Sequence, residues 1–100
     1  MEIPEWVDRD PEWRAAVHIL SAPILKRKAW PYVDFIRREI HFPDMVSGGW
    51  SHGEVVLMRA AWDLFSGAGE CSLGELVRTL DDENLSLILE ALALYRPIQS

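Results

Sequence analysis

The sequence predicts an all-α single domain of about five helices packed around one apolar helix, residues 51–66. Three observations point there. First, the stretch Ser51–Ser66 is apolar on almost every side. Val55, Val56, Leu57, Met58, Ala60, Ala61, Trp62, Leu64 and Phe65 are broken only by Arg59 and Asp63 before Ser66, and a helix of that kind is normally surrounded by protein. Second, apolar residues elsewhere recur at spacings of three and four, and no segment alternates with a period of two. Third, the candidate helices open on capping residues: Asp10-Pro11, Ser51-His52-Gly53-Glu54, Ser72-Leu73-Gly74-Glu75 and Asp81-Asp82.

Taken in order, residues 1–9 read as an N-terminal arm and residues 10–97 as the helical domain. Pro4 opposes early helix in the arm, although Trp6 and Val7 can dock on the body. A first helix starts at Asp10 and buries Trp13, Ala16, Val17 and Leu20 before Ser21-Ala22-Pro23. A second is predicted over 23–41, where Leu25, Ala29, Tyr32, Val33, Ile36 and Ile40 make one stripe. Pro31 lies inside it, removes an amide donor and crowds the carbonyl of Arg27, so a kink or break is expected near Lys28–Trp30. Pro43 closes that helix, since it disfavours helical geometry at Phe42. A loop over 44–50 with Gly48-Gly49 leads into the central helix, whose capping box joins Ser51 to Glu54. Gly67 and Gly69 suit its C-terminal cap and the turn beyond. A fourth helix over 72–80 buries Leu73, Leu76, Val77 and Leu80. A fifth runs from Asp81 or Asp82 to about Tyr95, where Pro97 stops it. In the fifth, Leu85, Ile88, Leu89 and Leu92 form the expected inward stripe, and Leu87, Ala91 and Leu94 lie beside it.

One hundred residues are enough to bury roughly 60–65% of the unfolded surface without a metal or disulfide. No apolar run reaches the ~18–20 residues of a membrane span. The acidic start lacks the basic flank of a secretory signal. The single cysteine, Cys71, has no partner for an internal disulfide, which fits a reducing cytoplasm. The net charge of −6 is uneven. Lys26, Arg27, Lys28, Arg37 and Arg38 face only Asp34 and Glu39 across residues 21–42, whereas nine acids face Arg59, Arg78 and Arg96 across residues 43–100. A general nucleic-acid binder needs a basic footprint, so the overall balance opposes direct DNA binding.

Five strings carry a family likeness: Arg14-Ala15-Ala16-Val17-His18-Ile19-Leu20, Tyr32-Val33-Asp34-Phe35, Ser51-His52-Gly53-Glu54, Asp63-Leu64-Phe65-Ser66-Gly67 and Leu80-Asp81-Asp82-Glu83-Asn84. With them the chain resembles, over roughly residues 10–95, a family of small uncharacterised proteins associated with phages and mobile elements. The resemblance implies a helical fold and a mobile-element context, and it implies no mechanism.

Several arrangements invite chemistry, and each has a plainer reading. Gly48-Gly49-Trp50-Ser51 offers free amides to an anion at a helix start, but Glu54 fills the cap and no lysine follows as in a phosphate loop. His18, His41 and His52 with Asp44 and Glu54 match no metal-ligand spacing. A nucleophile reading takes Cys71 or Ser51 with one of the histidines, but nothing in the sequence places a histidine beside Cys71, whose plainer reading is a small residue before a helix cap. In an unbroken helix Arg27 and Arg38, eleven residues apart, share one face and offer an anionic partner a docking site, the plainer reading being a solvated face. The last two helices resemble a helix-turn-helix in outline, but Asp82-Glu83-Asn84 at the start of the would-be reading helix repels phosphate.

The function expected from the sequence is therefore protein–protein contact by a small acidic cytoplasmic protein without cofactor or metal. The candidate contact residues are Leu87, Ala91 and Leu94, a strip suited to self-association, together with Arg27 and Arg38. Two alternatives stand beside it. One is a DNA-mimicking inhibitor of a nucleic-acid-binding protein. The other is a small enzyme whose site lies at the entrance to helix 51–66.

Overall fold

A computed structural model describes residues 3–98. Its first long helix, α1 (Pro11–Leu20), begins where Asp10 accepts hydrogen bonds from the amides of Glu12 (3.1 Å) and Trp13 (3.4 Å), with Pro11 filling a position that needs no donor. The longest helix, α4 (His52–Ser66), begins with the complete capping box: the Glu54 amide donates to Ser51 Oγ (3.3 Å) and the Ser51 amide to Glu54 Oε1 (3.0 Å). It ends at Gly67, whose positive φ of 77° places the following chain in a left-handed turn that suits glycine. Gly69 then lies so close to α4 that a Cβ there would stand 2.1 Å from the Arg59 carbonyl oxygen. The next helix is α5 (Leu73–Thr79), in which only the forward half of the expected capping box forms, the Glu75 amide donating to Ser72 Oγ at 3.1 Å. Asp81, rather than Asp82, caps α6 (Asp82–Tyr95) by accepting from the Asn84 amide at 2.9 Å.

The chain between α1 and α4 breaks where Pro31 led a kink or break to be expected, but it does not resume the helix expected as far as residue 41. Helix α2 (Lys26–Ala29) lasts one turn, and a 3-10 turn over Trp30–Tyr32 replaces it at Pro31. Two short antiparallel strands follow, β1 (Val33–Asp34) and β2 (Glu39–Ile40), with Val33 opposite Ile40 and Asp34 opposite Glu39. The turn between them is held by Asp34, whose Oδ1 accepts from the amides of Ile36 and Arg37, both at 3.0 Å. Arg38 leaves the turn with a positive φ of 57°. Pro43 does not close a helix but stands in the first turn of another, α3 (Phe42–Val46), inside the expected loop.

Packing follows from the apolar faces. Helix α4 packs against α1, α3, α5 and α6, so the predicted central position is the observed one; α1 fills the space between α4 and α6. Ala15 and Ala16 of α1 and Ala91 of α6 are fully buried, and residues this small let helix backbones approach closely. Phe42, Ile19, Leu20, Leu25, Met45, Leu57 and Met58 fill the centre. The 3-10 turn Glu5–Arg9 is docked on this body through buried Val7 and through Trp6, whose ring meets that of Trp13 edge-on at 4.9 Å. The architecture is all-α and single-domain. Among the described residues no helix is long and apolar enough to cross a membrane.

Candidate functional site

The entrance to α4 is built from charge rather than from a cavity. Glu54 is 5% exposed and is the one charged residue among those described that is buried. Its Oε1 takes the Ser51 amide, and its Oε2 accepts from Lys28 Nζ on α2. Lys28 in turn lies 5.7 Å from the centre of the Trp50 ring, and Trp50 Nε1 donates to the Met45 carbonyl at 2.6 Å. The Lys28 ammonium, then the Ser51 hydroxyl and amide, outweigh burial and hold the Glu54 carboxyl down at about 2. A carboxylate with both oxygens engaged is a structural clamp between α2 and α4, not a free base.

That clamp has a pH signature. A depressed carboxyl contributes stability above its unfolded value, near 4.5, and the contribution is lost as pH falls towards about 2. For this one group the loss should be roughly 2–3 kcal/mol. Melts of wild type and Glu54→Gln at about pH 6 and about pH 3 check it, because the variant should be weaker at the higher pH and lose less on acidification. An equal loss in both proteins would place the acid sensitivity elsewhere.

The other sequence candidates are dispersed. His18 Nε2 pairs with Glu90 on α6 at 2.9 Å, His41 lies 3.6 Å from Glu39, and His52 is exposed in the first turn of α4. No group of three potential metal ligands forms among the described residues. Cys71 is half-buried, and burial, then Asp63 and Glu75, push its thiol up against the weaker opposing effect of Arg59, so it stays protonated at neutral pH. Arg27 and Arg38 do not share a helix face. Arg27 is exposed on α2, and Arg38 lies over the Trp6 ring at 4.3 Å in the β1–β2 turn. The eleven-residue relation fails because the chain between them is a hairpin. A depression of about 460 Å³ beside that hairpin is lined by Pro31, Val33, Phe35 and Ile36, with Asp34 and His41 as its polar groups. Asp34 is already committed to the turn amides and His41 faces Glu39.

The α5–α6 surface offers what the other places lack. Leu76 and Leu80 turn inward from α5, leaving Leu73 (79% exposed) and Val77 (64%) outside, four residues apart and hence on one face. On α6 the expected inward stripe is split, Leu85 and Ile88 staying on the buried side while Leu89 and Leu92 turn outward. Ala91 is 0% exposed and Ile88 is buried, while Leu89 (60%) and Leu92 (42%) face outward with part of Tyr95. Leu87 and Leu94 are half-buried at the edges of the inward face. Leu87, Ala91 and Leu94 thus form no exposed strip, because the side of α6 that meets α1 is the one carrying the small residue. Between the outward residues runs a narrow cleft of about 90 Å³, lined by Ala60, Asp63, Leu64, Cys71, Leu76 and Ile88 with Leu73 and Leu92 at its lip. The sequence signal for it was a surplus of leucine on α6; its location needed the position of α1.

Comparison with protein-family models, with curated proteins and with solved structures found no match, so the geometry alone carries the functional reading.

Proposed function

We propose that this protein is a binding module that recognises another protein through the outward face of α5 and α6, without a cofactor, in the cytoplasm and in the phage or mobile-element setting that the family resemblance implies. The observation that supports it is the set of large apolar side chains left in water on two consecutive helices, Leu73 and Val77 on α5 and Leu89 and Leu92 on α6, with Leu73 and Leu92 at the lip of one cleft. Scattered exposed leucines are ordinary; large apolar side chains at the lip of a cleft mark a place where another molecule sits. The α4 entrance supports an enzyme less well, since its one buried acid is occupied by Ser51 and Lys28.

The test is capture from host cells, with the bound proteins read by mass spectrometry, using wild type and a Val77→Ser/Leu89→Ser double variant. Both positions are exposed, so the variant should keep its fold to within about 1 kcal/mol. A partner retained by wild type and lost from the variant is the expected result. A partner held equally by both would sink this face as the docking surface.

A further inference from the structure

Away from the α5–α6 face, three elements meet around a cavity of about 280 Å³: the 3-10 turn Glu5–Arg9, one side of α1 and the last turn of α6. The α1 side is a single stripe, because Arg14, Val17, His18 and the capping residue Ser21 stand at i, i+3, i+4 and i+7. Ile3, Val7, Val17 and Leu94 supply the apolar wall, while Asp8, Arg14 and Ser21 supply polar groups of three kinds. None of these three side chains is partnered within the fold. Asp8 is exposed and Arg14 half-buried, and neither forms an ion pair with the other or with another described residue. The Ser21 hydroxyl is the one buried side-chain polar atom among the described residues that has no hydrogen-bond partner. Buried polar groups in folded proteins are nearly always paired. His18 differs from them, since its Nε2 is already taken by Glu90 at 2.9 Å.

We infer that this cavity binds a free α-amino acid with a neutral, polar-ended side chain, of which glutamine is the type. The charges set the class of ligand. A simple anion would be repelled by Asp8 and a simple cation by Arg14. A wholly apolar molecule would leave all three polar groups unpaired. An α-amino acid carries a carboxylate and an ammonium on one carbon, so it bridges an acid and a base that line one cavity without touching. The forked Arg14 guanidinium matches the carboxylate, and Asp8 takes the ammonium. The methylenes lie along Val7, Val17 and Leu94. The side-chain amide, both donor and acceptor, then serves the Ser21 hydroxyl. Arg14 and Ser21 are seven residues apart, about 10 Å along α1, which separates the charged end of the ligand from its amide end. The volume lies just below the roughly 300–1,000 Å³ of drug-sized pockets and suits one amino acid.

Four probes test this by calorimetric titration into the full chain: L-glutamine, N-acetyl-L-glutamine, L-glutaminamide and L-leucine. Glutamine should bind with a Kd of roughly 1 mM or below. Acetylation removes the ammonium and amidation the carboxylate, and each should weaken binding by about tenfold or more. Leucine keeps both charges but lacks the amide, and should bind several-fold more weakly than glutamine. Arg14→Gln and Asp8→Asn should each lose about tenfold with unchanged thermal melts, since neither side chain is paired in the fold. Ser21→Ala should erase the preference for glutamine over leucine. Val77→Ser/Leu89→Ser, altered on the other face, should bind glutamine as wild type does, so this result is independent of the docking surface. Absence of heat with glutamine at several millimolar overturns the inference. Equal binding of glutamine and its acetyl form, or unchanged binding in Asp8→Asn, overturns it by reducing the site to an arginine that holds any carboxylate. Equal binding of leucine and glutamine overturns the assignment of a polar-ended side chain.

Discussion

Trp13→Ala should lower the stability of the whole domain by about 3–5 kcal/mol, the range for removing a buried large aromatic side chain. Trp13 is buried on α1 and touches three rings: Trp6 at 4.9 Å, Phe65 at 5.3 Å and Phe35 at 5.9 Å between centroids. The two closest are edge-on, the arrangement in which the positive edge of one ring meets the negative face of another. These contacts continue outward. Phe35 reaches Trp30, and Phe65 reaches Phe42, which stacks on Trp62 with the planes 4° apart. Trp13 therefore ties the 3-10 turn Glu5–Arg9, the β1–β2 turn and α4 to one point of α1. Without it, each of those segments loses a shared neighbour rather than a single contact.

For a domain of this size each kcal/mol moves the melting temperature by roughly 4–8 °C, so a fall of more than about 12 °C is expected. Denaturant midpoints of Trp13→Ala, with half-buried Trp62→Ala beside it, check the ranking. Trp62 should cost less because it keeps part of its surface in water and has one ring partner, Phe42. A Trp13→Ala midpoint close to wild type would mean that the aromatic chain is not what holds the N-terminal turn and the hairpin to the helices.

What the sequence made legible were the features decided by neighbours a few residues away. Asp10-Pro11, Ser51 with Glu54, Ser72, Asp81 and Gly67 each act on backbone groups within one turn, and α1, α4, α5 and α6 begin, and α4 ends, where those residues put them. The segment from 30 to 41 was not legible in this way. Its apolar residues fit helical spacing, and Pro31 signalled a kink or break but not the hairpin beyond it. The outcome turned on the Asp34 carboxylate taking the Ile36 and Arg37 amides, a local bond that competes with helix and wins where a proline has already broken the ladder. The outward phases of α5 and α6 were also hidden. Eight apolar residues from Leu85 to Leu94 cover a broad arc of α6, and any of its edges fills a core equally well on paper. The choice was made by α1, which is distant in sequence and meets α6 where both carry alanine. The exposed apolar face was consequently legible as a surplus of apolar surface but misplaced by about one stripe.

The same placement predicts that Ala91→Glu unfolds the protein instead of splitting a dimer. Ala91 is fully buried in a helix packed on α1, with Ala15 and Ala16 fully buried on that partner. A glutamate there must bring its chain into space that the alanines leave closed, and overpacking of this kind costs about 1–3 kcal/mol. Its carboxylate would also have to be desolvated. Of the cationic groups on α1, α5 and the end of α6, Arg96 and Arg78 are exposed and His18 is already paired with Glu90. An unpaired buried charge costs several kcal/mol more, so the two effects together approach the 5–15 kcal/mol that holds a typical domain. Leu89→Glu, two residues away but 60% exposed, is the matched control and should leave the melt nearly unchanged while adding the same charge. Circular dichroism melts of the two variants decide the matter. Loss of the cooperative transition in Ala91→Glu beside a wild-type-like Leu89→Glu is the expected pair of results. The reverse pair would return Ala91 to the surface and restore the strip Leu87, Ala91 and Leu94 as the contact face.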